Sequence, residues 1–321
     1  MPESPALLPT LPPALAALAK LPPMTGLDLL AQAGRVGIAR HAKRLYGHHD
    51  DVMRSNDDEA VHQMRVATRR MRAVLATTEE VFKPKALKPL AKPLRRVARE
   101  LGVVRDGDVF LAQLGAYRNT LQPEEQADFD IFVERTQAER DAAQLALRHE
   151  LASKHYQRLL DELTTFVTQP LKDVVADDDG LPILVRHRAG SACWSRYEAV
   201  RRYETILPTA TSEQLHALRI AGKHLRYTLE LFEAPLGPEA ETLLKPVRDL
   251  QEQLGAIHDA DVAVAQAQVH LHKQGTVPVI LRYIEAREAE RTAAVTALPE
   301  LWAQLTGESY RQAAGRALAG L

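Results

Sequence analysis

The chain has 321 residues, of which 45% are hydrophobic and 5% aromatic, and its single cysteine excludes an intramolecular disulfide or a zinc site built from several cysteines. The formal net charge of −1 does not by itself indicate a polyanionic partner. The hydrophobic content is sufficient for one or two cores, and the many Ala, Leu, Arg and Glu residues favour an all-α fold over a β-sandwich or barrel.

Residues 1–25 are predicted to form a stiff, proline-rich leader. Prolines interrupt every apolar run, and no basic stretch precedes one, so the segment does not have the pattern of a signal peptide. No later window approaches the length of a membrane span. The sequence therefore indicates a cytoplasmic protein with no membrane partner.

The first half of the chain reads as four helices. They are predicted near 26–46, 57–82, 86–119 and 124–168, with Asp57 as an N-cap and a break in the last helix at Ser153. The run "HHDD" at 48–51 is interpreted as a loop between the first two helices.

The second predicted helix contains "AVHQMRVATRRMRAVL", residues 60–75, with cations on one side and apolar residues on the other. At about 100° per residue, His62, Arg65, Arg69 and Arg72 share an arc of about 80°. The opposite arc is the predicted core face, and it consists of Met64, Ala67, Met71, Val74 and Leu75. The third helix adds four cations on one face, namely Lys88, Lys92, Arg95 and Arg99.

Charge is segregated along the chain. Residues 60–105 carry 12 Lys and Arg against 3 Glu, whereas residues 106–180 carry 7 Lys and Arg against 16 Asp and Glu. The near-zero net charge thus conceals a strongly basic segment, and such a segment attracts phosphate polymers.

The segment "PLKDVVADDDGLP", residues 170–182, is the predicted linker to a second half. That half is predicted to contain helices near 182–206, 212–234, 238–273 and 277–304, followed by a short helix after Gly307. Thr211 or Ser212 is the expected cap of the second of these helices.

The two halves repeat each other. "HQMRVATRRMRAVL" (62–75) aligns with "HALRIAGKHLRYTL" (216–229) at an offset of 154, and "KPLRRVARELGVVRDGDVFLAQ" (92–113) matches "KPVRDLQEQLGAIHDADVAVAQ" (245–266) at 10 of 22 positions. Two collinear matches indicate a duplication. We therefore predict two helical halves, 26–170 and 171–321, related by a pseudo-twofold axis.

The second copy keeps the cationic arc, and neither copy of the motif has an acid on it. Like charges at helical spacing destabilise a helix unless an anion neutralises them, so retention in both copies favours a phosphate-binding groove over a solvated helix face. The second half is expected to bind more weakly, because Arg70 becomes His224 and Arg99 becomes Glu252. Its candidate ligands for phosphate are His216, Arg219, Lys223, Arg226, Lys245 and Arg248.

The motifs "VHQMRVATRRMR", "LHALRIAGKHLRYTLELF", "LGVVRDGDV" and "LQEQLGAIHDADV", in this order, resemble those of the CHAD domain, the conserved histidine α-helical domain, over about residues 26–305. The resemblance implies two four-helix bundles with pseudo-twofold symmetry around a central basic channel. It also implies non-catalytic binding of inorganic polyphosphate and association with polyphosphate granules. No cofactor and no catalytic residue is implied.

Four aspartates accompany the second repeated motif, and a carboxylate repels polyphosphate. They are Asp106, Asp108, Asp259 and Asp261. Three interpretations stay open for them: they cap or turn helix ends or pair with buried arginines, they orient the cations of the arc, or they bind a metal ion.

The hypothesis for His62 and His216 is that a bound phosphate favours their charged form, so that binding strengthens as the pH falls toward 6. A neutral histidine bonded between helices is the alternative. General binding of polyanions or nucleic acid is the rival function, although only Tyr227 and Gln63 on the motif helices could stack on or read bases. Metal chemistry at "HHDD" or at "HLH" (270–272) lacks helical ligand spacing, and no metal site is predicted.

Overall fold

A computed structural model describes residues 9–169 and 173–321, and this part of the chain is helical with no β-strand. The predicted all-α class is confirmed. The helices are α1 (Pro13–Leu18), α2 (Leu30–Arg54), α3 (Asp58–Thr77), α4 (Pro84–Arg118), α5 (Pro123–Leu151), α6 (Lys154–Thr168), α7 (Val185–Arg201), α8 (Ser212–Leu231), α9 (Glu233–Leu236), α10 (Glu239–Gln274), α11 (Pro278–Thr306) and α12 (Glu308–Ala319).

The chain forms two compact units. The first contains the described residues up to Asp108 and those of 139–189, and the second contains 109–138 and 190–321. Relative to the predicted halves, residues 109–138 thus belong to the second unit. The halves describe repeated sequence and the units describe packing, so the pseudo-twofold relation between the halves stays a prediction.

In the first unit, α3 packs against α2 through the predicted core face. Met64, Ala67 and Met71 are fully buried, and Val74 and Leu75 nearly so, which confirms this face. The helix begins where predicted, because the Asp57 side chain accepts hydrogen bonds from the backbone N–H groups of residues 59 and 60. The cationic arc therefore lies on the side of α3 that faces away from the core.

The predicted loop "HHDD" is wrong. Residues 48–51 lie inside α2, which continues to Arg54 because His49 and Val52 extend its buried face by two turns. The predicted break at Ser153 is confirmed, since the Ser153 hydroxyl caps α6 by accepting from the Tyr156 backbone N–H.

The predicted leader packs in part on the first unit. Its first eight residues lie outside the described residues, but α1 buries Leu15 completely and packs against α2 and α6. Arg40 of α2 donates hydrogen bonds to the carbonyl oxygens of Leu21 and Pro22, at 2.7 and 2.9 Å. This segment is therefore held by specific contacts along much of its length.

The predicted linker begins with residues 170–172, which also lie outside the described residues. Beyond them the backbone is attached to the first unit at two places, where the N–H of Lys83 donates to the carbonyl of Asp173 and the N–H of Val185 donates to that of Asp28, each at 2.9 Å. Gly180, with a φ of 78°, supplies the left-handed residue of the turn between them.

In the second unit, α10 packs against α8 and α11. Phe129, Phe132 and Tyr283 form an aromatic cluster at the centre of one core. The motif helix α8 begins with a capping box, in which the side chains of Thr211 and Gln214 each accept from the backbone N–H of the other. The predicted cap at Thr211 is therefore confirmed.

Among the described residues, no helix combines the length and the apolar character that a membrane-spanning segment requires.

Candidate functional site

In the first unit, the cationic sides of α3 and α4 lie next to each other. Two ion pairs connect the helices: Arg65 Nη2 lies 3.2 Å from Asp106 Oδ1, and Arg105 Nη1 lies 3.6 Å from Asp58 Oδ2. We define the first basic surface as the predicted cations of these two helices other than Arg99: His62, Arg65, Arg69, Arg72, Lys88, Lys92 and Arg95.

In this arrangement the charge of Arg95 on α4 acts directly on Arg72 of α3. Burial lowers the pKa of Arg72, and the charge of Arg95 lowers it further. Lys88 and Lys92 are exposed on the same face of α4 as Arg95, within about two turns of it. In the part of the chain that the structure describes, none of these four cations has a carboxylate within ion-pair distance, so their repulsion is not relieved internally.

Arg99, the other predicted cation of α4, differs from these four because it has a carboxylate partner. Its guanidinium is 2.9 Å from the Oε1 atom of the adjacent Glu100. This predicted site residue is therefore paired within its own helix turn.

His62 lies half-buried on the first basic surface. Its Nδ1 atom is buried and has no hydrogen-bond partner among the described residues. Burial lowers the pKa of His62, and Arg105, Arg69 and Arg65 lower it further against the opposing effect of Glu59. The free protein therefore favours the neutral imidazole, and a bound anion would favour the charged form.

In the second unit, the equivalent cations on α8 and α10 do have carboxylate partners. We define the second basic surface as the predicted cations of these two helices: His216, Arg219, Lys223, Arg226, Lys245 and Arg248. Arg226 Nε pairs with Glu230 Oε1 at 2.8 Å, Lys245 Nζ pairs with Asp249 Oδ2 at 2.6 Å, and Arg248 pairs with both oxygens of Glu241 at 2.8 Å.

His216 lies beside His258, with 5.0 Å between the ring centroids. Burial lowers the pKa of His258, and the neighbouring Arg219, His216 and Lys223 lower it further, partly offset by Asp259. His258 occupies the position of Arg105 in the repeat, so a neutral ring replaces a cation there at pH 7.

The four motif aspartates lie inside helices, so the interpretation as helix caps is wrong for all of them. Asp106 pairs with Arg65 of the first basic surface. Asp108 pairs with Arg140 of α5 at 2.7 Å, and both side chains are almost fully buried, at 5% exposure for Arg140 and 7% for Asp108. Asp261 pairs in the same way with Arg291 of α11 at 2.6 Å, while Asp259 acts electrostatically on His258.

The sequence reasoning missed a cationic group on α2. His41 is flanked by Arg70, Arg44 and Arg40, and burial followed by these three charges lowers its pKa to about 3. Every charged group acting on it is a cation, so the positive potential of the first unit extends from α3 onto α2. The spacing of Arg40 and Arg44 around His41 was a visible signal in the sequence.

One histidine of each motif considered for metal binding lies in a core, and the single cysteine is buried too. His49 of "HHDD" stacks on Tyr156 with 5.5 Å between centroids, and His270 of "HLH" packs on Phe132 at 4.7 Å. No cluster of His, Cys, Asp and Glu able to hold a metal ion occurs among the described residues. Burial raises the pKa of the Cys193 thiol to about 12, which keeps it protonated and unreactive at neutral pH.

Comparison with known proteins gives a family model and two curated relatives. A family model described as the CHAD domain matches residues 37–268. Uncharacterized proteins from two strains of Mycobacterium tuberculosis are 28% identical over 228 residues, which is 67% of this chain and 41% of each relative. The chain thus spans less than half the length of these curated relatives.

Two solved structures share the fold. The CHAD domain from the plant Ricinus communis has a TM-score of 0.64 at 23% identity, covering 92% of this chain and 95% of that one. PptA from Streptomyces chartreusis has a TM-score of 0.66 at 15% identity, covering 86% of this chain and 99% of that one. The CHAD family model matches well over half of this chain's residues, and the solved CHAD domain of Ricinus communis shares its fold, so this chain belongs to the CHAD domain family.

Proposed function

We propose that the protein binds inorganic polyphosphate, without hydrolysing it, on the first basic surface. The observation that carries the proposal is the juxtaposition of Arg72 with Arg95, beside Lys88 and Lys92, with no carboxylate to neutralise them in the described part of the chain. A chain of phosphates relieves this repulsion and releases its own counterions on binding. Polyphosphate binding is a known property of the CHAD family, and the proposal includes association with cytoplasmic polyphosphate granules.

The rival partner is nucleic acid, which any basic surface attracts. Reading or stacking bases requires free aromatic and amide groups. Of the two candidates on the motif helices, Tyr227 is buried and Gln63 donates its side-chain hydrogen bond to Glu59 of its own helix. The surface therefore offers guanidinium and ammonium groups without base-recognition groups, which favours a polymer that is phosphate throughout.

We expect polyphosphate to displace single-stranded RNA of matched charge from the protein at physiological salt, and RNA to displace polyphosphate at least about tenfold less effectively. Competition followed by fluorescence anisotropy measures this. Equal displacement in both directions would replace the proposal by general polyanion binding. Samples incubated with Mg²⁺ and run on a gel should show polymer of unchanged length, and shortening would contradict binding without hydrolysis.

Binding should also depend on pH through His62. The pKa of His62 is lowered in the free protein, and a bound anion raises it. At a pH between the pKa of the free protein and that of the complex, binding is therefore accompanied by uptake of a proton. Affinity should therefore increase by a few-fold to about tenfold as the pH falls from 7.5 to 5.5, with most of the rise below pH 6.5. An equilibrium titration of wild type and His62→Gln measures it.

His155→Gln, a change at an exposed histidine of α6, is the matched control and should leave the pH dependence intact. A His62→Gln variant with the same pH dependence as wild type would show that another group takes up the proton.

A further inference from the structure

On the second basic surface, carboxylates of the same two helices pair with Arg226, Lys245 and Arg248. Their counterparts in the repeat, Arg72, Lys92 and Arg95, have no carboxylate within ion-pair distance in the part of the chain that the structure describes. Arg248 holds Glu241 through two hydrogen bonds, and this pairing raises the pKa of the guanidinium and lowers that of the carboxyl. Glu230, which is bonded to Arg226 of α8, also acts on Arg248 of α10. Carboxylates thus pair with cations on both helices of this surface.

These acids belong to the second copy of the repeat alone. At the offset of 154 that aligns the motif helices, Glu230 corresponds to Ala76. At the offset of 153 that aligns α4 with α10, Glu241 corresponds to Lys88 and Asp249 to Arg96. The first copy thus has a neutral residue and two cations at the positions where the second copy carries acids.

From these pairings we infer that the second basic surface is masked by Glu230, Glu241 and Asp249, so that it binds polyphosphate only where phosphates displace these carboxylates, at higher polymer concentration than the first surface. The inference rests on the proposed function and adds its regulation. A phosphate that approaches Arg226, Lys245 or Arg248 has to break an ion pair of 2.6 to 2.8 Å before it makes one. On the first surface, no such exchange is required at Arg72, Lys92 or Arg95.

Phosphates can replace the carboxylates in these ion pairs because two of the pairs are exposed to solvent. Glu241 is 64% exposed in its side chain and Lys245 is 70% exposed. Ion pairs in contact with water contribute little stability, so a chain of phosphates that engages several cations at once can replace them. Neutralising the acids should accordingly leave the fold intact and open the surface.

The test compares two triple variants that change the charge of the second unit equally. One removes the masking acids, with Glu230→Gln, Glu241→Gln and Asp249→Asn. The other removes exposed acids of α11 that have no cation of the surface as partner, with Glu285→Gln, Glu288→Gln and Glu300→Gln. Both are made in the full chain, in wild type and in an Arg72→Gln/Arg95→Gln background that weakens the first surface.

Short-chain inorganic polyphosphate is the probe, and isothermal titration calorimetry measures affinity and stoichiometry. In the Arg72→Gln/Arg95→Gln background, removal of the masking acids should raise affinity about tenfold, whereas the control should raise it less than about threefold, through net charge alone. An equal rise in affinity in the two triple variants would contradict the inference that these acids mask the surface. Absence of binding by the wild type would instead overturn the proposed function, so the two failures are distinct.

Discussion

Replacing Arg72 and Arg95 together by glutamine should weaken the binding of long-chain polyphosphate by about 100-fold at low salt, which corresponds to about 2.7 kcal/mol. Burial, and after it the charge of Arg95, lowers the pKa of Arg72, so the two arginines repel each other in the free protein. Both are exposed and available to phosphate oxygens. Their removal deletes two phosphate contacts and should also reduce the dependence of affinity on salt concentration.

The same double variant should be no less stable than wild type, because it removes a like-charge contact and no ion pair. Thermal unfolding measures this and separates loss of binding from loss of fold. Lys154→Gln/Arg158→Gln changes two exposed cations of α6 in the same unit and is the matched control, with an expected loss of a few-fold at most. Equal losses in the two double variants would show that net charge, and not this surface, governs binding.

Replacing Arg140 by leucine should lower the free energy of unfolding by about 3–5 kcal/mol. Its guanidinium is 2.7 Å from Asp108, both side chains are almost fully buried, and the aliphatic part of Arg140 packs on Gly107. Loss of the guanidinium leaves the Asp108 carboxylate buried without its counter-charge. Urea denaturation measures the effect, and it should be partly relieved when Asp108→Asn is added, since the residual charge is then removed.

The second unit supplies the comparison for this prediction. Arg291 and Asp261 form the equivalent pair, but each is 29% exposed, so water stabilises the remaining carboxylate in Arg291→Leu. We expect that variant to lose clearly less stability than Arg140→Leu. An Arg140→Leu variant as stable as wild type, or more stable than Arg291→Leu, would contradict the importance of burial at this pair.

The sequence was sufficient for features that depend on neighbours in the chain. The core face of α3 follows from helical periodicity, and the caps at Asp57 and Thr211 follow from local hydrogen bonds between a side chain and the next backbone turn. At residues 48–51 polar side chains continue the helical periodicity of α2, with His49 on its buried face. The sequence there predicts a loop, because histidine and aspartate are frequent outside helices.

The candidate cations could be identified from the duplication, but their electrostatic state could not. Glu230 follows Arg226 by one turn on the same arc and lies just beyond the repeated segment 216–229, so the duplication does not point to it. The effect of Arg105 on His62 and the burial of His41 among arginines depend on helix packing, which the sequence does not specify. A weaker second half is expected from the sequence, but the pairing of its cations with Glu230, Glu241 and Asp249 is a result of the structure.

The central claim is that an unneutralised cationic surface binds a phosphate polymer. Equilibrium binding of the wild-type protein to inorganic polyphosphates of graded length, repeated at several salt concentrations, tests it most directly. The account predicts that log affinity falls linearly with log salt concentration, with a slope that steepens with chain length until the first basic surface is filled. An affinity that is independent of salt, or a slope that does not change with polymer length, would contradict it.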